Sequence, residues 1–268
     1  MPKYPAIMGI INLTPDSFSD GGKLTTPKKI LAQAQKLITQ GATILDLGAE
    51  SSGPNSVNVS LTEELNRLQP ALNIFQTNKI FDQVKVSIDT YKAEVADFAL
   101  KAGAHIINDI TGLRGSPNMA AVIAKHQAKV IIMYSKDPTA RTTKAETTYK
   151  DIIQTIVTFL KQQTDYAINQ GIKPENIIID PGMGAFLSTI PKYSFEVLNR
   201  LAELKQLGYP ILIGTSRKSF LGGKIQDRDL PSIIADTIAL YNGADIIRTH
   251  NPEKHLAVIT TLNEIIRN

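Results

Sequence analysis

The stretch KAGAHIIND, residues 101–109, decides the fold: a helix-like segment runs into Gly103, and the short apolar run behind it stops on Asn108 and Asp109. A glycine there supplies the left-handed residue on which many helices end. The same unit recurs along the chain. Gly41 precedes the run 42–47, Gly171 the run 177–180, Gly208 the run 209–214 and Gly243 the run 244–248. Three runs of like composition, 7–13, 84–88 and 130–133, lack the glycine. Apolar residues are continuous within these runs, as in parallel strands covered by helices on both faces.

Helices between the runs are visible from spacing. Leu61, Leu65, Leu68, Leu72 and Phe75 step by four and three, and Ile152, Ile153, Ile156, Val157, Leu160 and Ile168 are read as the stripe of another helix. Starts are marked by Ser60 with Glu63, a capping box, and by Thr26-Pro27, Ser116-Pro117 and Asn251-Pro252, each a capping side chain before a proline. About eight strands alternating with helices at this length predict an α/β fold, a single (β/α)8 TIM barrel occupying residues 1–268 as one domain. A doubly wound open sheet is the competitor, but no G-x-G-x-x-G follows the first run and no Pro/Ser-rich linker divides the chain.

Composition agrees with a water-soluble globular protein: 268 residues, 43% hydrophobic, 20% charged and no cysteine. Disorder, collagen and a disulfide scaffold are excluded, and roughly 70–75% of the extended chain's surface should be hidden on folding. The formal charge of +4 is scattered singly and gives no argument for nucleic acid. The apolar run 6–13 is far short of the ~20 residues that span a bilayer, and no cleavage-like site follows it. The expectation is a cytoplasmic protein with no membrane or nucleic-acid partner.

In a (β/α)8 barrel the active site lies at the C-terminal rim, so the residues ending each run are the ones to collect. They are Asn12 with Asp16 and Asp20, Asp46, Asp89, Asn108 with Asp109, Met133-Tyr134, Asp180, Ser216-Arg217-Lys218, and Arg248 with His250. Any one of them alone reads as a cap for the next helix; together they are harder to dismiss. Ser216, Arg217, Lys218 and Ser219 with Arg248 and His250 form a corner suited to an anion, with Gly214, Gly222 and Gly223 permitting close backbone approach. The opposite wall, Asp46, Asp89, Asp180 and Asn108, suits either a metal cluster or the N–H/NH2 edge of an aminopyrimidine-like ring. Of the four histidines, His105, His126 and His255 fall at a strand start or on helices, which argues against zinc. Magnesium needs only one or two protein oxygens beside ligand phosphates, so Asn12 or a loop aspartate would be sufficient.

The blocks MGIINLTPDSFSDGG (8–22), SIDTYKAEVADFALKAGAHIINDITG (87–112), IIDPGMG (178–184), GTSRKSFLG (214–222) and RTH (248–250) resemble the dihydropteroate synthase family, folate-pathway enzymes of the pterin-binding (β/α)8 group, over essentially the whole chain. The resemblance implies a transferase joining 6-hydroxymethyl-7,8-dihydropterin diphosphate to p-aminobenzoate with release of diphosphate. It implies that Asp89, Asn108 and Asp180 bind the pterin, with Asp46 behind, Lys218 and Arg248 beside it and Met133 near its face. Asn12, Arg248 and His250 would hold the diphosphate with Mg2+, Asn12 serving as the metal ligand, and Lys218 would complete the catalytic group. Phe18 and Asp20 would close over the site. Ser52, Pro54, Ser216 and Phe186 would meet p-aminobenzoate. A homodimer is implied as well.

The chain departs from the family pattern in places. Gly53 stands where arginine is expected and Ser52 where threonine is, Tyr134 follows Met133 in place of histidine, and Ala185 replaces a common aromatic, with Phe186 beside it. These changes resemble the sulfonamide-insensitive branch of the family and imply a reshaped p-aminobenzoate pocket. Two other functions are open: a pterin-binding methyltransferase domain, for which the anion corner would lack a purpose, and a non-catalytic pterin-binding paralogue, which Gly53 and Tyr134 favour.

Overall fold

The computed structural model describes residues 5–14, 26–53 and 56–267. In chain order these form β1 Ala6–Asn12, α1 Pro27–Thr39, β2 Ile44–Gly48, α2 Leu61–Thr77, the single turn α3 Ile80–Gln83, β3 Lys85–Asp89, α4 Ala93–Lys101, β4 Ile106–Asp109, α5 Met119–His126, β5 Lys129–Met133, α6 Ile152–Asn169, β6 Ile177–Asp180, α7 Pro191–Asn199, β7 Leu212–Ile213, α8 Asp229–Tyr241, β8 Ile246–Thr249 and α9 Pro252–Arg267. All strand pairs are parallel, in the order β6-β5-β4-β3-β2-β1-β8-β7. A bridge between Ile179 and Ile211, with the Ile179 N–H on the Pro210 carbonyl at 2.9 Å, joins the two ends. The sheet is a (β/α)8 barrel, and the open doubly wound alternative is excluded.

The five glycines ahead of the strands, Gly41, Gly103, Gly171, Gly208 and Gly243, all have positive φ, as helix ends of this kind require. Strand β7 is the main departure, with two residues where six were expected. Pro210 has no N–H to give to a ladder, so regular pairing starts only after it.

Side chains alternate across each strand. Met8, Ile44, Ile106, Ile131, Ile178, Leu212 and Ile246 form an apolar plug inside the barrel, separate from the larger core between sheet and helices. Two residues farther along their strands come Asp46, Asn108, Met133, Asp180 and Arg248 on the same inner face. The plug is thus a floor, and the next inward layer is polar.

The helical stripes cover the outside with small corrections. Leu68, Leu72 and Phe75 are buried, but Leu61, which opens α2, is 37% exposed. In α6 the stripe continues through Thr164 and Ala167, leaving Ile168 outside, because eight residues at about 100° each carry it roughly 80° round from Leu160. Ser60 accepts from the Glu63 N–H at 3.2 Å, Thr26 from Lys29 at 3.4 Å and Asn251 from Lys254 at 3.4 Å, as read from the sequence. Ser116-Pro117 is instead a turn closed by the Met119 N–H on the Ser116 carbonyl, and α5 begins at Met119.

Candidate functional site

Arg248 is the centre of the polar layer. Its Nε donates to Asp46 Oδ2 at 2.6 Å and its second terminal nitrogen to Asp89 Oδ2 at 3.0 Å. Asn108 Nδ2 reaches the same Asp46 oxygen at 3.3 Å. Gly214 flanks this arrangement: a Cβ there would make ordinary contact with the Cβ of Arg248 at 3.4 Å. The acidic wall and the strand-eight cation, read from the sequence as opposite sides, are therefore in direct contact. Asp46 is fully buried, and Asp46 Oδ1, Asn108 Oδ1 and Ser87 Oγ are buried with no hydrogen-bond partner among the described residues. Orphaned buried acceptors cost about 1–3 kcal/mol each, so they mark a slot built for a ligand rich in N–H donors.

Asp180 and Lys218 complete the slot. Asp180 Oδ1 accepts from the Gly182 N–H at 2.7 Å, and burial raises its pKa against the opposing pull of Lys218. Lys218 Nζ donates to the Met183 carbonyl at 3.1 Å and lies 4.9 Å from the centre of the Phe186 ring. Burial pushes its pKa down to about 8, although Asp180 pulls the other way. Phe186 in turn packs on a small cluster of Met133, Ile110 and Ala140 with Tyr91. Asp89 is pushed up to about 7, chiefly by burial, with Arg248 opposing and Asp46 adding to the rise.

The anion corner is less cationic than its composition. His250 lies 2.8 Å through Nδ1 from Ser216 Oγ, and burial first, then Arg217 and Arg248, push its pKa down to about 3, so it is neutral at pH 7. Arg217 has φ +59° and pairs with Asp229 at 2.8 Å, while Arg248 is turned to the carboxylates. The carbonyls of Gly222 and Gly223 accept from Arg228 at 2.9 and 2.8 Å. Behind the corner is a relay that the strand-end reading missed. Thr215 Oγ1 donates to Asp236 at 2.7 Å, whose other oxygen lies 2.9 Å from His255 Nε2, and His255 Nδ1 is 2.8 Å from the Asn251 carbonyl. Both neighbours of this relay, Ser216 and His250, are thereby fixed to α8 and α9. His105 accepts from the Val86 N–H and His126 pairs with Asp97, structural roles as expected.

Asn12 stands beside β2 opposite Gly48. A Cβ on Gly48 would fall 3.7 Å from that of Asp89 and 3.9 Å from Asn12 Oδ1, which places Asn12 and Asp89 on either side of Gly48. Among the described residues no group of three His, Cys, Asp or Glu side chains is placed to hold a metal alone. Ser52 lines a narrow cleft that it shares with Asp89, Tyr91, Ile110 and Arg141. Phe18, Asp20, Pro54 and Asp16 lie outside the described residues. Tyr134 faces away from the site: its ring packs edge-on against Phe159 and its hydroxyl meets Tyr149 at 3.4 Å. That departure belongs to the outer core, not to the pocket. Asp109 is likewise structural, accepting from Thr111 N–H at 2.8 Å and Leu113 N–H at 3.1 Å.

Residues 8–250 match the pterin binding enzyme family. The chain is 40% identical to the dihydropteroate synthase of Synechocystis over 94% of its own length and 86% of that protein. Among solved structures, dihydropteroate synthase from Clostridium difficile, determined in the presence of pteroic acid, superposes with a TM-score of 0.89 at 40% identity, covering 99% of this chain and 98% of that one. The enzyme from Yersinia pestis in a sulfonamide drug complex gives a TM-score of 0.92 at 32% identity, covering 99% and 95%. The chain belongs to the pterin-binding enzymes, and the part of that family it matches is the dihydropteroate synthases, transferases of folate biosynthesis.

The raised pKa of Asp89 has a definite sign for stability. Between about pH 4 and pH 7 the folded chain holds a proton on Asp89 that the unfolded chain has lost, so this group's contribution to stability is full below pH 4 and is lost as pH rises through 7. Denaturant unfolding across that range should show a decline in the wild type that is smaller in Asp89→Asn. Equal declines would mean that Asp89 titrates normally.

Proposed function

We propose that this chain forms dihydropteroate from 6-hydroxymethyl-7,8-dihydropterin diphosphate and p-aminobenzoate, releasing diphosphate. The observation that carries the proposal is the Arg248 guanidinium bound to Asp46 and Asp89 above the apolar plug, beside buried acceptors on Asp46 and Asn108 that await donors. A pterin ring supplies such donors along its N–H/NH2 edge, and Asp89, Asn108 and Asp180 would receive them, with Met133 against the ring. Lys218 would lie beside it and help to keep Asp180 ionised.

The reacting carbon is the methylene that carries the diphosphate. The pterin can share positive charge at that carbon, so the bond to diphosphate breaks as the arylamine nitrogen forms its own, and the amine proton leaves with the diphosphate or to solvent. No strong base is needed, because an arylamine is neutral and nucleophilic at pH 7. Arg248, the Ser216 hydroxyl and a neutral His250 would stabilise the departing anion. An arriving diphosphate raises the pKa of His250 and strengthens its hydrogen bond. The Asn12 amide oxygen is a hard donor of the kind Mg2+ takes and would hold the ion together with phosphate oxygens of the substrate. When bound, Mg2+ neutralises charge on the leaving group. Ser52, Ser216 and Phe186 would face p-aminobenzoate.

The outward stripe Leu230, Ile234, Ile238 and Tyr241 of α8 is 46 to 68% exposed, and Phe195 of α7 is 49% exposed. A second copy of this chain is the partner we assign to that face, as the family resemblance implies. No described helix is long and apolar enough to cross a membrane, and we place the protein in the cytoplasm.

The test is incubation with pterin diphosphate, labelled p-aminobenzoate and Mg2+. Dihydropteroate and diphosphate should appear together, and chelation of the metal should suppress both; no product refutes the proposal. Arg248→Lys should lose roughly a hundredfold in kcat/KM, the cost of one anion donor, with unfolding curves verifying that the buried Asp46 has kept a partner. Unchanged kcat/KM would remove Arg248 from the reaction. A sulfonamide inhibition constant well above the KM for p-aminobenzoate is expected from the altered residues at 52, 53 and 185; a ratio near one would mean that those changes do not discriminate the drug. Sedimentation should give a dimer that Ile234→Glu with Ile238→Glu converts to a monomer, whereas a monomeric wild type would leave the α8 face without the assigned partner.

A further inference from the structure

The cleft lined by Ser51, Ser52, Asp89 and Tyr91 is bordered by a residue from far along the chain, Arg141 in the connection between β5 and α6. Arg141 Nε donates to the Ser56 carbonyl at 3.0 Å, and a terminal nitrogen donates to the Val57 carbonyl at 2.6 Å and pairs with Glu50. Glu50 also holds Lys92 at 2.5 Å, and Lys92 reaches the almost fully buried Glu64 at 2.5 Å. The next residue, Thr142, works in two directions. Its N–H donates to the Ser52 carbonyl at 3.4 Å, and its hydroxyl donates to the Ala185 carbonyl at 2.7 Å. Nearby, the Lys136 N–H donates to the Phe186 carbonyl at 2.9 Å, and the Thr189 N–H to the Ala145 carbonyl at 3.4 Å. One short segment therefore ties the loop after β2, which carries Ser52, to the loop after β6, which carries Phe186.

Gly53 sharpens the point. Among the described residues a Cβ there would meet Ser51 Oγ alone, at 3.7 Å, and glycine brings no side chain of its own to hold the loop. Arg67 holds the Ala49 carbonyl at 2.9 Å and Lys92 the Val59 carbonyl at 2.8 Å at the two ends of the loop, and Arg141 and Thr142 hold its middle at Ser56, Val57 and Ser52. None of these bonds reaches Asn108, Asp180 or Arg248, which the strands carry; the contact with the pterin side runs through the Phe186 ring, which packs against Met133 and lies 4.9 Å from Lys218 Nζ.

We propose that Arg141, with Thr142, is a positioning residue for the second substrate: it clasps the Ser52 and Phe186 loops at a fixed separation and so sets the affinity for an aryl carboxylate amine, leaving pterin recognition untouched. This rests on the reading that p-aminobenzoate lies between those loops. A guanidinium is suited to the task because its fork reaches two carbonyls and a carboxylate together.

The experiment is steady-state kinetics on the full chain with each substrate varied in turn, comparing wild type with Arg141→Met, Arg141→Lys and Thr142→Val. Glu50 retains Lys92 in all three, so no carboxylate is left unpaired, and the dissociation constant for 6-hydroxymethylpterin verifies the fold. In Arg141→Met the KM for p-aminobenzoate should rise about tenfold, with kcat within about threefold and the KM for pterin diphosphate within about twofold of wild type. Arg141→Lys should recover part of the loss, and Thr142→Val should raise the same KM by a smaller factor. An unchanged KM for p-aminobenzoate in both Arg141→Met and Thr142→Val, or equal rises in both KM values, would overturn the clasp while normal wild-type turnover leaves the proposed function standing. Absence of wild-type turnover would overturn both.

Discussion

A single guanidinium shared by two carboxylates inside a closed barrel is the interaction on which the site depends. Asp46 has no access to water, and a buried charge in that position is costly unless it is paired. Arg248 offsets that penalty by reaching Asp46 and Asp89 together, which requires β8, β2 and β3 to turn these side chains inward within reach of one another. The barrel meets the requirement because its strands alternate strictly and the apolar plug fills the level below. Register, closure and charge are thus one problem with one solution. What remains unsatisfied after Arg248 is placed, on Asp46, Asn108 and Ser87, is what a donor-bearing ligand would take up.

The rim divides into a part built on strands and a part built on loops, and the two obey different constraints. Strand residues, which supply all of the ring slot but Lys218, are held by ladder bonds and by the plug. The walls where Ser52 and Phe186 lie depend on contacts between loops, with Arg141 and Thr142 as the link. The departures from the family pattern in the loop after β2 and at Ala185 fall on the loop-built part, where change disturbs little of the barrel. Tyr134 shows why position matters more than identity: one residue beyond Met133, it points to the helices, and it weighs nothing for or against catalysis.

Much of this was legible in the sequence, for physical reasons that can be named. Asp46, Asp89, Asn108, Met133, Asp180 and Arg248 are found by asking what terminates each apolar run, because the end of a parallel strand is also the mouth of the barrel. Direction was not legible. Composition suggested a corner with three or four cations, yet Arg217 turns to Asp229, Arg248 to the carboxylates, and burial keeps His250 neutral. Nor could spacing pair Glu50 with Arg141, 91 positions away, or place Asp236 of α8 behind the anion corner. Those partners sit within loops or mid-helix, where local pattern reports only exposure or periodicity. Strand β7 was overestimated because hydrophobicity does not register the missing N–H of Pro210.

The most direct measurement is a crystal structure of the protein with 6-hydroxymethylpterin diphosphate and Mg2+. The ring should lie above the Met8 and Ile178 level, with its N–H/NH2 edge on Asp89, Asn108 and Asp180 and its phosphates beside Ser216, His250 and Arg248. A ring bound elsewhere, or phosphates directed away from Arg248, would contradict the account.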